Sequence, residues 1–170
     1  FISKASSAKD AQNQIFVLSM KGGESKQITK APKGVQHFSW SPNSTDIAYA
    51  TLNEPKNKAE IEKGFTAFEI ANNDMFVVSQ PQPAHIWLVN TTTAVSKRLT
   101  DGDWSLPVVI PPGPPPAPFS WSADGKTILL ASRWAQKLSV IDMSTRQVVR
   151  QIKVGKSPHG VWTLDHAPRQ

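Results

Sequence analysis

The chain is expected to be all-β, built from repeated units of four short antiparallel strands, and three observations lead there. The first is an internal repeat. Ser39-Trp40-Ser41-Pro42-Asn43-Ser44-Thr45-Asp46-Ile47-Ala48-Tyr49-Ala50-Thr51 and Ser120-Trp121-Ser122-Ala123-Asp124-Gly125-Lys126-Thr127-Ile128-Leu129-Leu130-Ala131-Ser132 share one pattern. Each has Ser-Trp-Ser, a four-residue turn, and an apolar strand ending in a small residue. In the second, Ile15-Phe16-Val17-Leu18 followed by Lys26-Gln27-Ile28-Thr29 aligns without a gap on Ile86-Trp87-Leu88-Val89 followed by Lys97-Arg98-Leu99-Thr100. The third is the distribution of fourteen prolines, most of them between the apolar runs, which a helical protein would not tolerate. A repeated supersecondary unit fixes the architecture before any single element does. Strand, turn and strand at this spacing describe the blade of a β-propeller.

The elements follow in order. Phe1-Ile2-Ser3 reads as the end of a strand, and Ser6 to Asn13 is polar and loops. Ile15 to Ser19 and Ser25 to Thr29 are strands joined by a hairpin turn over Met20 to Glu24, where Gly22-Gly23 supplies backbone freedom. Ala31-Pro32-Lys33-Gly34 interrupts the sheet. Val35 to Trp40 and Asp46 to Thr51 form the next hairpin around Pro42-Asn43. Glu54 to Gly64 is charged and accommodates one or two helical turns. Phe65 to Ile70 and Met75 to Val78 suit a small extra hairpin turning on Asn72-Asn73-Asp74. The repeat resumes at His85 to Asn90 and Val95 to Thr100. Pro107 to Pro118 holds seven prolines in twelve residues and must run as an extended loop, since proline offers no ladder donor. Phe119 to Trp121, Thr127 to Ser132, Leu138 to Met143 and Gln147 to Val154 are strands, the last pair turning at Ser144-Thr145. Gly160 to Leu164 is one strand more.

With blade strands named a to d from the axis outward, residues 1–34 supply b, c and d of a first blade. Residues 35–100 make a second blade with an insertion at 53–84. Residues 101–154 make a third with the proline loop at 107–118, and 155–170 carry a closing a strand. Three blades' worth of strands do not close a ring, which needs about four or more. The expectation is a homo-oligomer that shares strands between copies, or a missing propeller or catalytic portion that completes the ring.

Composition narrows the function. At 170 residues, 39% hydrophobic and with six tryptophans, the chain has enough apolar surface for one domain. Its net charge of +6, from 19 basic and 13 acidic side chains, is scattered without a run of five like charges. That is a solvated surface, not a nucleic-acid groove. Absent cysteine excludes a disulfide framework, a thiolate zinc site and a cysteine nucleophile. No stretch of 18 apolar residues suggests a membrane span. Beginning at Phe1, with no basic and apolar leader, suits a processed chain or an excised piece. Asn43-Ser44-Thr45 and Asn90-Thr91-Thr92 fit the glycosylation acceptor pattern and fall in turns.

Several strings carry a resemblance. Gly22-Gly23-Glu24 through Ile28-Thr29, then Ser39-Trp40-Ser41-Pro42, resembles the TolB-type, WD-like propeller repeat. Phe65-Thr66-Ala67-Phe68-Glu69-Ile70-Ala71-Asn72-Asn73-Asp74 resembles the N-terminal propeller of prolyl oligopeptidase family serine peptidases. His85-Ile86-Trp87-Leu88-Val89, Arg98-Leu99-Thr100-Asp101-Gly102-Asp103-Trp104-Ser105-Leu106-Pro107 and Pro111-Pro112-Gly113-Pro114-Pro115 continue it, so that it covers residues 1–132. From Leu138 the idiom changes. Ser139-Val140-Ile141-Asp142, Val148-Val149 and Ile152-Lys153-Val154-Gly155-Lys156-Ser157-Pro158-His159-Gly160 are similar to the YVTN repeat of extracytoplasmic propellers. The resemblance implies a periplasmic or secreted location. It implies three functions: a scaffold or protein-interaction module, the substrate-gating propeller of a serine peptidase, or a YVTN-like ligand-binding propeller.

The residues favour the first. A serine peptidase of that family needs Gly-x-Ser-x-Gly, and none occurs. The chain is expected to be non-catalytic, with no cofactor and no metal. In the peptidase family, propeller acids can hold a peptide's amino terminus. Glu60, Glu62 and Glu69 lie where such a contact to a peptide or protein partner would arise, against the plainer reading of a charged, solvated loop. His159 and His166 flank Trp162 and Asp165, but two histidines do not make the three or four convergent ligands a metal needs. His37 and His85 open strands. Lys153, Lys156 and Arg169 with Trp162 are too sparse for a nucleic-acid surface. Trp40 and Trp121, at equivalent places, are expected to pack between neighbouring blades. Asp124-Gly125 forms a tight turn that Asn43 to Asp46 serves without the glycine.

Overall fold

A computed structural model of the chain describes residues 1–7, 11–68, 82–102, 104–106, 118–132, 135–156, 158, 160, 161 and 163. Eleven strands and one short helix lie among them. They are β1 (Ile2–Lys4), β2 (Asn13–Val17), β3 (Lys26–Gln27), β4 (Val35–Trp40), β5 (Asp46–Leu52), α1 (Lys58–Glu62) and β6 (Ala84–Asn90). After them come β7 (Ser96–Arg98), β8 (Phe119–Trp121), β9 (Thr127–Ser132), β10 (Lys137–Asp142) and β11 (Gln147–Lys153). They form three antiparallel sheets: β1-β2-β3, β4-β5-β6-β7 and β8-β9-β10-β11. Each of the last two is a blade of four strands in chain order. The fold is an all-β partial propeller.

The middle sheet is buried on both faces, and period-two alternation divides its side chains between two cores. On β5, Ile47 and Tyr49 join Ile15, Ile28, Ala31, Val35 and Val89 against the first sheet. Ala48 and Ala50 face the other way and pack with Ile86, Leu88, Phe119, Trp121, Ile128, Leu130 and Ile141 of the second and third sheets. Burying a side chain such as Ile128 or Phe119 stabilises by about 1.5–3 kcal/mol. Here the apolar faces exist to join sheets, so the interfaces between sheets are the core.

Three expectations meet a different structure. The strand over Ser25 to Thr29 shortens to β3, because the Thr29 hydroxyl, not its backbone, receives the Ile15 amide at 2.8 Å. Phe65 to Phe68, expected to begin an extra hairpin, carry no strand, and the remainder of that hairpin lies outside the described residues. Gly160, Val161 and Thr163 carry no strand either, though Thr163 lies within 3.4 Å of Ser120, Oγ1 to Oγ. The helical turn expected in the charged insertion is α1, whose Glu54–Lys58 pair at 2.7 Å braces its entry. No helix among the described residues is long and apolar enough to cross a membrane.

Candidate functional site

Four buried polar side chains of the first two sheets form two copies of one lock. In the first sheet, Thr29 Oγ1 accepts from the Ile15 amide and donates to Gln14 Oε1 at 2.9 Å. Gln14 also accepts from the Ala31 amide and donates to the Ala31 carbonyl at 2.8 Å. In the second, Thr100 Oγ1 accepts from the Ile86 amide at 3.0 Å and meets His85 Nδ1 at 3.2 Å, while His85 Nε2 meets the Gly102 carbonyl at 3.2 Å. A carbonyl only accepts, so Nε2 carries the proton and Nδ1 accepts from Thr100. His85 is therefore the counterpart of Gln14, one residue before the aligned isoleucines. Burial holds its pKa below the ordinary value, Arg98 adds to that, and the Gly102 carbonyl and Asp101 oppose it. His85 closes the lock as a neutral ring.

The turns repeat as closely. Ser41 Oγ donates to Asn43 Oδ1 at 2.6 Å and Ser122 Oγ to Asp124 Oδ1 at 2.7 Å. Each hydroxyl also accepts the amide that restarts the strand, from Asp46 and Thr127. Ser44 and Gly125 both take positive φ, 60° and 67°. Asp124 sits below its usual carboxylate pKa because it accepts from the Lys126 amide and the Ser122 hydroxyl. Asn90, the second acceptor triplet's asparagine, donates its amide to the Thr45 carbonyl and to Asp46.

The two repeat tryptophans part company. Trp121 is 2% exposed and donates Nε1 to the Ser39 carbonyl of the neighbouring sheet at 3.3 Å. Trp40 is 41% exposed. It belongs to neither buried core cluster, and among the described residues the first sheet has three strands where the second has four. His37 packs edge-on against Phe119 at 5.0 Å and burial lowers its pKa. Glu60 and Glu62 are exposed on α1. Glu69, His159, Trp162 and His166 lie outside the described residues. Among the described residues no three His, Cys, Asp or Glu side chains are grouped to hold a metal.

Sequence reasoning passed over a concave feature among the described residues. Where the first two sheets diverge outward from their shared core, a cleft of about 810 Å³ opens. Its floor includes Tyr49 and Trp87, stacked at 6.5 Å, and its rim carries Lys30, Lys56 and Arg98. Its two carboxylates are occupied: Asp101 pairs with Arg98 at 2.8 Å, and Glu54 pairs with Lys58. The signal in the sequence was weak, because these cations come from three separate loops and strand ends.

Comparisons with known proteins agree with this geometry. The family model for the YNCE-like beta-propeller matches residues 85–169. No curated protein matches. Among solved structures, a candidate TolB from Agrobacterium tumefaciens is similar at a TM-score of 0.55 and 16% identity, over 95% of this chain and 43% of that one. Hydrazine synthase from Kuenenia stuttgartiensis is similar at 0.52 and 14%, over 94% of this chain and 47% of that one. Acylaminoacyl peptidase from Pyrococcus horikoshii is similar at 0.51 and 14%, over 89% and 22%. The chain thus spans less than half the length of each, and at such identities the likeness is one of fold. With a family model covering half of its residues and two four-stranded blades beside a third sheet, the chain belongs to the YNCE-like β-propeller family.

Proposed function

We propose that the chain is a non-catalytic propeller segment acting as a scaffold and protein-interaction module, its ring completed by strands from another copy or by further propeller sequence. The observation that carries this is the contrast between Trp121, buried on the neighbouring sheet, and Trp40, open at the same place in the repeat. A ring left 41% exposed at a position that the next repeat buries against its neighbour supports a partner surface there. Among the described residues β1 is an end strand of a three-stranded sheet, and a strand added on its free side would give that sheet the four strands of its neighbours. The strand donor we favour is a second copy of the chain. Family membership supports an extracytoplasmic setting for the assembly.

Light scattering on a sizing column tests the reading. A dimer or trimer that Trp40→Arg converts to monomer supports it. A monodisperse monomer at high concentration contradicts completion by a second copy. Serine-inhibitor-sensitive turnover of chromogenic dipeptides by the pure chain would overturn the non-catalytic assignment.

A further inference from the structure

We propose that the cleft between the first two sheets docks an acidic peptide segment carrying an apolar side chain. The cleft is built by two sheets that share a core, so it exists whatever completes the propeller. Its volume of about 810 Å³ lies within the range of sites that enclose a ligand. Two properties choose the occupant.

The first is charge. Glu54 and Asp101 are the acids of the lining, and each already has a cation at 2.7 or 2.8 Å. Lys33 also acts on Glu54, and Lys56 on Asp101, lowering both carboxyl pKa values further. Among the described residues no carboxylate lies within 4 Å of the Lys30 or Lys56 ammonium. The lining therefore carries more cations than carboxylates, on both sides of the opening: Lys30 follows β3 of the first sheet, and Lys56 precedes α1 between β5 and β6. An anionic partner gains attraction and on-rate there, and a cationic one is repelled.

The second is the character of the walls. Ile28, Ala31, Pro32, Leu52, Trp87 and Ala94 give apolar surface between the charges. Asn53 and Ser96 add polar groups, while Gln27, Thr51 and Thr93 in the same lining donate to the Thr29 and Gly34 carbonyls and to Asn90. A bare inorganic anion uses only the cations. A peptide uses both: carboxylates on Lys30 and Lys56, and an apolar side chain between the sheets. Single-stranded nucleic acid would ask for open aromatic faces on which to stack bases. Tyr49 is buried, and Trp87 is half-buried against it.

The test is fluorescence anisotropy with a fluorescein-labelled oligoglutamate peptide containing one central leucine, titrated with the whole chain. Binding should weaken as salt rises, since the contacts are at a solvent-facing rim. The double variant Lys30→Glu/Lys56→Glu should weaken it by about ten-fold or more, as two favourable contacts become repulsive. Lys126→Glu/Lys153→Glu makes the same charge change on the third sheet and should leave it unaltered. Equal loss in both variants, or no binding by the wild type, overturns the proposal. So does full competition by inorganic phosphate at equal concentration, or tighter binding of labelled single-stranded DNA with the same dependence on Lys30 and Lys56. Replacing the peptide's leucine by serine should weaken binding without changing its salt dependence. An unchanged affinity there would remove the apolar part of the assignment.

Discussion

Trp40 and Trp121 close the same Ser-Trp-Ser string at the same strand end, yet one is 41% exposed and the other 2%. Their own blades treat them alike: β4 pairs with β5 at Trp40–Ile47, and β8 pairs with β9 at Trp121–Ile128. Their neighbours differ. Trp121 meets β4 of the second sheet and donates to Ser39, whereas Trp40 adjoins a first sheet of three described strands, one fewer than the second. Local sequence sets strand, turn and hydrogen-bond pattern in a propeller, and burial is set by the adjacent blade. Each interface is thus only as complete as the sheet on its far side.

The largest expected effect sharpens this contrast directly. Trp121→Ala should destabilise by about 3–5 kcal/mol, the usual cost of emptying a buried aromatic site. Trp40→Ala should cost about 1 kcal/mol or less, as at a partly exposed position. Urea denaturation of both measures the difference, and equal losses would break the comparison.

The paired locks predict similarity where the tryptophans predict difference. Thr100→Val strands the Ile86 amide and the His85 ring nitrogen, and Thr29→Val strands the Ile15 amide and leaves Gln14 Oε1 with the Ala31 amide alone. Each should cost about 1–3 kcal/mol for unsatisfied buried groups. A large disparity between the two would show that the locks are not equivalent.

The locks also differ in one testable respect, because only one contains a titrating group. The folded pKa of His85 lies below the ordinary 6.5, so the unfolded chain binds the proton more readily. Its contribution is complete above pH 6.5 and is lost as pH falls from there through the lowered folded value. His85→Gln copies Gln14, and should flatten the acid loss of stability to the share left by His37, whose pKa burial also lowers. Thermal midpoints of both proteins between pH 7.5 and 5, in the same buffers, read this out; an unchanged acid slope would refute the neutral-ring assignment.

The smallest effect compares the turns. Ser44 holds φ of 60° where its counterpart is glycine, so Ser44→Gly should be stabilising by a few tenths of a kcal/mol, and Gly125→Ala destabilising by about 1 kcal/mol. Effects of the same sign would contradict the equivalence of the two turns.

Much of the architecture was legible because the repeats carry the same hydrogen-bonding chemistry twice. Ile15 with Thr29 and Ile86 with Thr100 are recognisable as a pair, and the structure shows their shared amide-to-hydroxyl bond. Gln14 and His85 escaped notice since two unlike side chains perform one task. The exposure of Trp40 was illegible for a different reason: nothing in Ser39-Trp40-Ser41 records what lies across from it. The cleft was hidden similarly, as Lys30, Lys56 and Arg98 are separated in sequence and meet only when two sheets diverge around a common core.

Hydroxyl-radical footprinting read by mass spectrometry tests the central claim most directly, because it reports Trp40 and Trp121 separately in one sample. In the dilute monomer Trp40 should oxidise readily while Trp121 stays protected, and in the assembled fraction both should be protected. Equal protection of the two in the monomer, or a Trp40 that remains fully reactive in the assembly, would contradict a first sheet that is completed by a further propeller strand.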